Sequence, residues 1–421
     1  MKLSIHGKIY DLTQFADEHP GGRQILELCS KEPDCTALFE SYHAFCDMVK
    51  IKSIMKLYET DETAEQMFKI EKNGFYNTCK NRVRSYFGNS KSLRTKIKAN
   101  YLWLISVMIT VIFFVICQYG MLSQESIILG CVCGLISGFS LGSLGYNLLH
   151  DGSHYAVSTL PLVNQLLSKV IQSLLLWNHA LWSYHHCIRH HQYTGNINLD
   201  PDMRHNYPMI RKSTLLKKRE RTLSKSNFSL KMLIFNIFLP GSAIGQSISY
   251  YLVWLIKKKL WKMKLPSVYY KDTKIWEYLL SIMFCMFHII HGNILFLYFH
   301  FIGTNLIYFI GLSPDHDMYV THLEIEKLNK LETNSVDWGE MQVRTSANFC
   351  NSYTNMTKFM GGINYQIEHH LFPTVCNHHL KDISYIVKQT CKEFNIPYNS
   401  IDNPINVYRS IMKMYKKVLD E

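Results

Sequence analysis

Long apolar runs alternate with long polar segments along this chain, and the lengths of the runs set the first expectations. Residues 101–119 and 127–149 each approach the roughly 20 residues a helix needs to cross the hydrocarbon core of a bilayer. The connection 120–126 holds no Lys or Arg, whereas basic residues precede the first run. That asymmetry predicts a hairpin of two spans, its turn outside and both outer ends in the cytosol. The block 275–312 is about twice the spanning length, and His291-Gly292-Asn293 offers a turn, giving helices over 275–290 and 293–312. Residues 233–256 are also apolar, but Pro240, Gly241 and Gly245 interrupt them and Lys257, Lys258, Lys259, Lys262 and Lys264 follow at once. This pattern predicts a helix lying in the membrane interface rather than a span. Four spans return the chain to its starting side, so the polar segments 151–231 and 313–421 share the cytosolic face.

Residues 1–70 are mixed and polar, with no stretch of spanning length, and predict a small soluble domain. Residues 71–100 turn basic and loop-like (Lys72, Lys80, Arg82, Arg84, Lys91, Arg94, Lys96, Lys98), which predicts a linker on the cytosolic membrane surface. The expected division is therefore 1–70, a linker 71–100, and a membrane domain 101–421. No repeat or low-complexity tract interrupts it. The first ten residues lack the apolar segment of a secretory signal, so the N-terminus is expected to stay in the cytosol.

Composition narrows the class. A chain of 421 residues that is 47% hydrophobic and 13% aromatic carries more apolar material than disorder allows. Its net charge of +12 suits either nucleic acid or an anionic membrane, and because the basic residues flank apolar runs the membrane reading is preferred and nucleic acid set aside. The twelve Cys are scattered without a C-x-x-C pair, which argues for reduced, buried thiols over a disulfide framework or a Cys-built zinc site.

Three histidine clusters carry the chemistry: His150-Asp151-Gly152-Ser153-His154, His185-His186-Cys187-Ile188-Arg189-His190-His191, and Gln366-Ile367-Glu368-His369-His370. On a helix, residues four apart share a face, so His150 and His154 can point at one ion, as can His186 and His190. His191 and His369 add donors around the same arc. A lone H-x-x-x-H at a membrane boundary is ordinarily an interfacial or core pair. Three clusters on one expected face are different, because so many imidazoles would be costly to bury together without a metal. Imidazole suits iron, zinc, copper and nickel alike, so spacing predicts a metal site without naming the metal.

The sequence H-D-x-x-H, then H-x-x-x-H-H-x-Y-T, then Q-x-x-H-H resembles the integral-membrane fatty-acid desaturases. The contexts QVRTSANF (342–349) and GGINYQIEHHLFPT (361–374) resemble the front-end members in particular, whose third cluster opens with Gln. The resemblance covers essentially the whole chain. It implies two non-haem iron ions held by His150, His154, His186, His190, His191, His369 and His370, with Gln366 at the variant position in a catalytic role. It also implies one further His beyond the last span, for which His316 is the candidate and His322 the alternative. His185 has no counterpart among the ligands. Gly195 stands where many relatives carry Asn, and His378-His379 read as surface residues.

The N-terminal domain has its own signature, His19-Pro20-Gly21-Gly22 followed by Phe39-Glu40-Ser41-Tyr42-His43, with the lead-in GKIYDLTQF (7–15). Together these resemble cytochrome b5. By that resemblance His19 and His43 are the axial ligands of a haem b. Two imidazoles saturate such an iron, so it passes electrons rather than binding oxygen. Ile25, Leu28, Leu38 and Phe39 either wall the haem or pack a core.

The whole is expected to be a small α+β haem-binding domain followed by an all-α integral membrane domain with four transmembrane helices and a cytosolic helical cap. The implied activity is oxygen-dependent desaturation of an acyl chain, carried by acyl-CoA or phospholipid, between an existing double bond and the carboxyl end. Electrons would come from an NADH-cytochrome b5 reductase through the fused haem, at a multi-pass membrane location, the endoplasmic reticulum, with both termini and the active site cytosolic. Alternatives are a sphingolipid long-chain-base desaturase or a hydroxylase with the same metal centre. From other classes come a membrane-tethered haem electron carrier with a vestigial metal site, and a transporter using intramembrane histidines. The last is disfavoured because the clusters line the cytosolic ends rather than the midplane.

Overall fold

The computed structural model describes residues 1–88, 92–123, 126–204, 210–219, 273–291 and 294–421, with Tyr207 and short pieces at 237–238, 256–257, 259–260 and 263–264. The interfacial helix expected over 233–256 lies almost wholly outside the described residues.

At the N-terminus β1 (Lys2–Ile5) and β2 (Lys8–Asp11) form a hairpin, and β3 (Glu59–Thr63) pairs antiparallel with β2. Three short helices, α1 (Arg23–Cys29), α2 (Thr36–Tyr42) and α3 (Met48–Lys56), lie between β2 and β3. The Asp47 carboxylate accepts from the backbone N–H of Val49 and Lys50 at the start of α3, satisfying donors that the first helical turn leaves free. The core of this domain does not close on itself. Leu26, Leu38 and Phe39 share one buried cluster with Ala180, Leu181, Tyr184 and Ile188, so the domain is docked against the second histidine segment.

Residues 71–100 depart from the loop-like linker expected from their charge. They contain α4 (Phe75–Phe87), whose Phe75, Cys79, Val83 and Phe87 form a buried stripe four residues apart, the spacing of one helical face. Tyr76 packs edge-on against Trp338, ring centroids 5.0 Å apart, and stacks over Phe372. The basic residues occupy the other faces and mask the stripe in a composition average. Lys80 also pairs with Glu40 at 2.5 Å, tying α4 to the N-terminal domain.

Among the described residues, three helices are long and apolar enough to cross a membrane, covering Leu93–Leu122, Ile127–Ser153 and Ile294–His316. The first takes in all but the last residue of α5 (Tyr101–Ser123) and the second contains α6 (Ile127–Leu144). The helix α7 (Pro161–Leu174) is inverted relative to a water-soluble surface helix. It turns Asn164, Ser168, Lys169 and Gln172 inward and leaves Leu162 and Leu166 exposed. An exposed face of that kind suits the membrane interface. Then α8 (Ile275–Ile290) is apolar but, at 16 residues, shorter than the three long helices, and α9 (Ile294–His316) is the third long one.

α6 and α9 approach backbone to backbone. A Cβ added at Gly138 would lie 1.7 Å from the His300 carbonyl oxygen, and one at Gly303 2.2 Å from that of Leu135. After α9 come α10 (Tyr319–Leu328), α11 (Trp338–Thr345), α12 (Gln366–Leu371), α13 (Leu380–Glu393) and α14 (Pro404–Asp420). Trp338, Val343, Ile367, Leu371, Ile383 and Val387 pack with the buried stripe of α4 in one cluster, which fixes α12 and the third histidine segment.

Because the obstruction at Gly138 is backbone, Gly138→Val should destabilise the helix pair by at least about 1–3 kcal/mol, the usual cost of overpacking. Thermal unfolding in detergent should show a clearly lowered midpoint; an unchanged midpoint contradicts the close approach.

Candidate metal centre and haem site

Two of the three histidine clusters ride on helical segments wound more loosely than an α-helix. Gly145–His150, continuing α6, and Ser183–His190 are π-helical, a rare winding that recurs at functional sites. The third cluster is the short helix α12, whose entry is held by Asn348. The Asn348 side-chain oxygen accepts from the Ile367 N–H at 3.0 Å, and its amide donates to Glu368 at 2.8 Å. Asn348 belongs to the QVRTSANF stretch, which thereby acquires a structural purpose. Burial raises the Glu368 carboxyl to about 7, although Asn348 and Tyr398 both donate to it.

The imidazoles gather in two adjoining sets. His150, His154, His186 and His369 each present a ring nitrogen within 4.8 Å of the others, and His190, His316 and His370 form a second set by the same measure. His191 joins the first, its Nε2 3.1 Å from His369 Nε2. In the second, His190 Nε2 and His316 Nε2 are 3.2 Å apart. Two nitrogens bound to one ion at about 2.1 Å sit roughly 3.0–3.4 Å from each other at octahedral or tetrahedral angles, so both spacings match ligands sharing an ion.

The expectation that His186 and His190 point at one ion is corrected. His186 belongs to the first set and His190 to the second, because the π-helical winding of Ser183–His190 changes the alignment that residues four apart have on an α-helix. His150 and His154 do converge.

The donor chemistry fits metal ions. Nε2 of His150, His154 and His186 is buried and without a hydrogen-bond partner among the described residues, a state that is otherwise costly. Burial pushes His154, His186, His191, His369 and His370 far below the usual histidine range, and the neighbouring rings push the same way. These rings are neutral with lone pairs available. His190 differs. Burial would lower it too, but the carboxylates of Asp202 and Asp200 prevail and hold it up at about 9.

Outer partners orient several of the rings. His190 Nδ1 lies 3.1 Å from Asp200, His316 Nδ1 2.8 Å from the Thr345 carbonyl oxygen, and His370 Nδ1 2.8 Å from Gln342 Oε1. Such contacts fix the tautomer and leave Nε2 for the metal. Trp182 stacks flat on His186 with centroids 4.3 Å apart. Gln366 lies within the second set, its amide 3.1 Å from Nε2 of both His316 and His370.

Other histidines stay outside both sets. His185 bonds to Asp202, and His322 lies 3.3 Å from Glu326. His378 and His379, read as surface residues, are half-buried, with His379 Nε2 bonded to the Lys98 carbonyl at 3.2 Å. Gly195 has φ +77°, and a Cβ there would meet Ile325 at 2.7 Å. Its position matches the preference of Gly and Asn for this left-handed region.

In the N-terminal domain the rings of His19 and His43 lie with centroids 6.3 Å apart and planes at 63°. Two imidazoles flanking one iron have centroids about 6.4 Å apart, so the pair fits a bis-imidazole haem. The Phe39 carbonyl accepts from His43 Nδ1 at 2.9 Å and leaves Nε2 inward. Burial lowers His19 to about 4, with His43 pushing the same way. Leu28, Leu38 and Phe39 are buried in the core, while Ile25 is half-buried against it.

Residues 126–402 match the family described as fatty acid desaturase. The chain belongs to that family. Residues 2–64 match the cytochrome b5-like haem/steroid binding domain, so this desaturase carries a fused haem domain, and its histidine sets fit the family's two irons. It is 28% identical over 420 residues to an acyl-lipid (8-3)-desaturase B of Dictyostelium discoideum, covering 94% of this chain and 86% of the relative. An acyl-lipid (8-3)-desaturase of Mortierella alpina is 27% identical, covering 94% and 89%. An sn-1 linoleoyl-lipid 6-desaturase of Synechocystis is 27% identical, covering 80% and 93%.

Sequence reasoning did not read a part at the site for Trp182, Asp200 and Asp202, nor for Thr345, Tyr42 and Arg189, which lie inside the quoted motifs. Only Asp200 and Asp202, soon after the second cluster, carried a signal, since acidic residues near ligating histidines orient them. Metal analysis of the purified, iron-saturated desaturase should find two non-haem ions and one haem per chain. His154→Ala and His316→Ala should each lose non-haem iron, whereas His322→Ala should keep it; equal iron in all three contradicts the assignment.

Proposed function

We propose that this desaturase introduces a cis double bond into an already unsaturated acyl chain, between the existing double bond and the carboxyl end. Two observations support the reading: seven imidazoles in two ion-sized sets with an eighth closing the first, and relatives named as acyl-lipid (8-3)- and 6-desaturases. The ligand set is His150, His154, His186, His191 and His369 around one ion, and His190, His316 and His370 around the other. Iron there would supply the oxygen activation that removes one hydrogen from each of two adjacent carbons, yielding two waters. Oxygen takes four electrons, two from the substrate C–H bonds and two from an NADH-cytochrome b5 reductase by way of the haem held by His19 and His43.

The chain's own residues prepare this chemistry. Asp200, Asp202, Gln342 and the Thr345 carbonyl hold ligand rings with Nε2 inward, and Trp182 keeps water from one face of His186. Gln366 is placed to turn its amide oxygen toward the second ion or a water bound there, since amide orientation is set by the hydrogen-bond partners present. We divide the chain into a haem domain 1–70, a joining segment 71–100 and a membrane domain 101–421. Within it 275–290 and 293–312 pair as spans, giving four in all, with the cap, both termini and the metal site on the cytosolic side of the endoplasmic reticulum. The acyl carrier is a phospholipid or CoA thioester.

Expression in a host without polyunsaturated fats, fed defined fatty acids, should give a product with its new bond on the carboxyl side of an existing one by mass spectrometry. A hydroxylated product, or a desaturated sphingoid base alone, refutes the reading. Gln366→Ala should nearly eliminate product at matched expression if the amide meets the ion or its water. A ring-orienting role would lose about 10- to 100-fold, and wild-type activity would leave Gln366 without chemistry. His19→Ala should abolish NADH-supported turnover while non-haem iron stays bound; full activity in cells lacking another cytochrome b5 contradicts the fused donor.

A further inference from the structure

One side chain of the haem domain reaches a histidine of the metal site directly. Tyr42, at the end of α2, precedes the haem-facing His43 in the chain. Its hydroxyl lies 2.8 Å from His154 Nδ1 and 3.3 Å from the Cys187 carbonyl oxygen. The two rings lie nearly parallel, with an interplanar angle of 29°. A phenol has one proton to give, and a carbonyl can only accept. The consistent arrangement is therefore His154 Nδ1–H donating to the phenol oxygen and the phenol donating to Cys187. That leaves His154 Nε2 deprotonated, and this atom is buried without a partner among the described residues, within the first histidine set.

Further contacts hold the domain in this place. The Tyr155 hydroxyl donates to the carbonyl of Gly21, two residues from His19, at 3.0 Å. Glu32, its side chain fully buried, accepts from Tyr184 at 2.9 Å and from Arg189 at 3.1 Å. Arg189 lies inside the second histidine cluster, so the first and second of the three clusters are anchored to the loops and helices that carry the haem ligands.

We propose that Tyr42 is the positioning residue that couples the haem to the metal site, fixing the tautomer of His154 through its hydroxyl while its neighbour His43 holds the haem. The proposal rests on His43 as haem ligand and His154 as metal ligand. Two electrons cross per double bond, one at a time. Haem held by His19 and His43 would supply these electrons, changing between ferrous and ferric iron, with an NADH-dependent reductase as their source and the metal ions held by the histidine sets as their acceptor. Tyr42 has no proton or electron to lose overall. Its task is to keep donor and acceptor in one geometry, with a hydrogen bond in place of a gap.

The test uses the full chain with Tyr42→Phe, which keeps the ring and removes the bond. Stopped-flow absorbance follows reduction of the haem by the reductase and its reoxidation with oxygen and acyl substrate, expressed per iron-loaded chain. Amide exchange over residues 150–156 is measured in metal-free protein. Haem reduction should be unchanged, reoxidation slowed about tenfold or more, and exchange at 150–156 accelerated. Reoxidation at the wild-type rate per iron-loaded chain overturns the coupling, including the case in which Tyr42→Phe only loses iron and its remaining loaded molecules behave normally. If wild-type haem is not reoxidised faster with substrate than without, the desaturase reading fails, and the coupling with it.

Discussion

Burying eight imidazoles in two touching sets is the constraint around which the fold is arranged. Neutral rings packed nitrogen to nitrogen, several without hydrogen-bond partners among the described residues, are unfavourable in a low-dielectric interior unless cations take up the lone pairs. Three separate stretches of chain must meet to form the sets, and each is held from outside. α6 delivers His150 and packs against α9, which delivers His316. The segment Ser183–His190 is clamped by Glu32 of the N-terminal domain, and α12 is fixed by Asn348 below and by the cluster shared with α4. A small displacement of any one would separate nitrogens that lie 3.1 or 3.2 Å apart.

The same economy explains why the haem domain is not a loosely tethered appendage. Its apolar core is completed by Ala180, Leu181, Tyr184 and Ile188, residues that lead into or belong to the second histidine segment. α4 follows it directly and packs against α11 and α13. Electron donor and metal site are thus parts of one packed structure. For a reaction that needs two one-electron deliveries, a fixed separation removes any search between domains.

What the sequence made legible was chemistry with short-range spacing. The three histidine clusters, the H-P-G-G turn with its second His, and three runs of spanning length can all be read because their signals lie within a few residues. Features that depend on winding or on distant partners were not legible. His186 and His190 separate into different sets because their segment is π-helical, which the H-x-x-x-H spacing does not disclose. α4 was hidden by basic residues on its outer faces, and α7 by polar residues turned inward. Tyr42 sits inside the haem-domain signature, but nothing in that pattern pairs it with a histidine of the metal site; only the fold brings it beside His154, 112 residues away in the chain. Gln366 was marked by its place in the third cluster, and its position beside His316 and His370 follows from α12 meeting the end of α9.

The claim that the histidines form two ion sites beside a docked haem is tested most directly by locating iron itself, using anomalous diffraction recorded on either side of the iron absorption edge from crystals of the iron-loaded desaturase. The account predicts three iron peaks: one between His19 and His43, one among His150, His154, His186, His191 and His369, and one among His190, His316 and His370. A single non-haem peak, or peaks lying away from these rings, would contradict it.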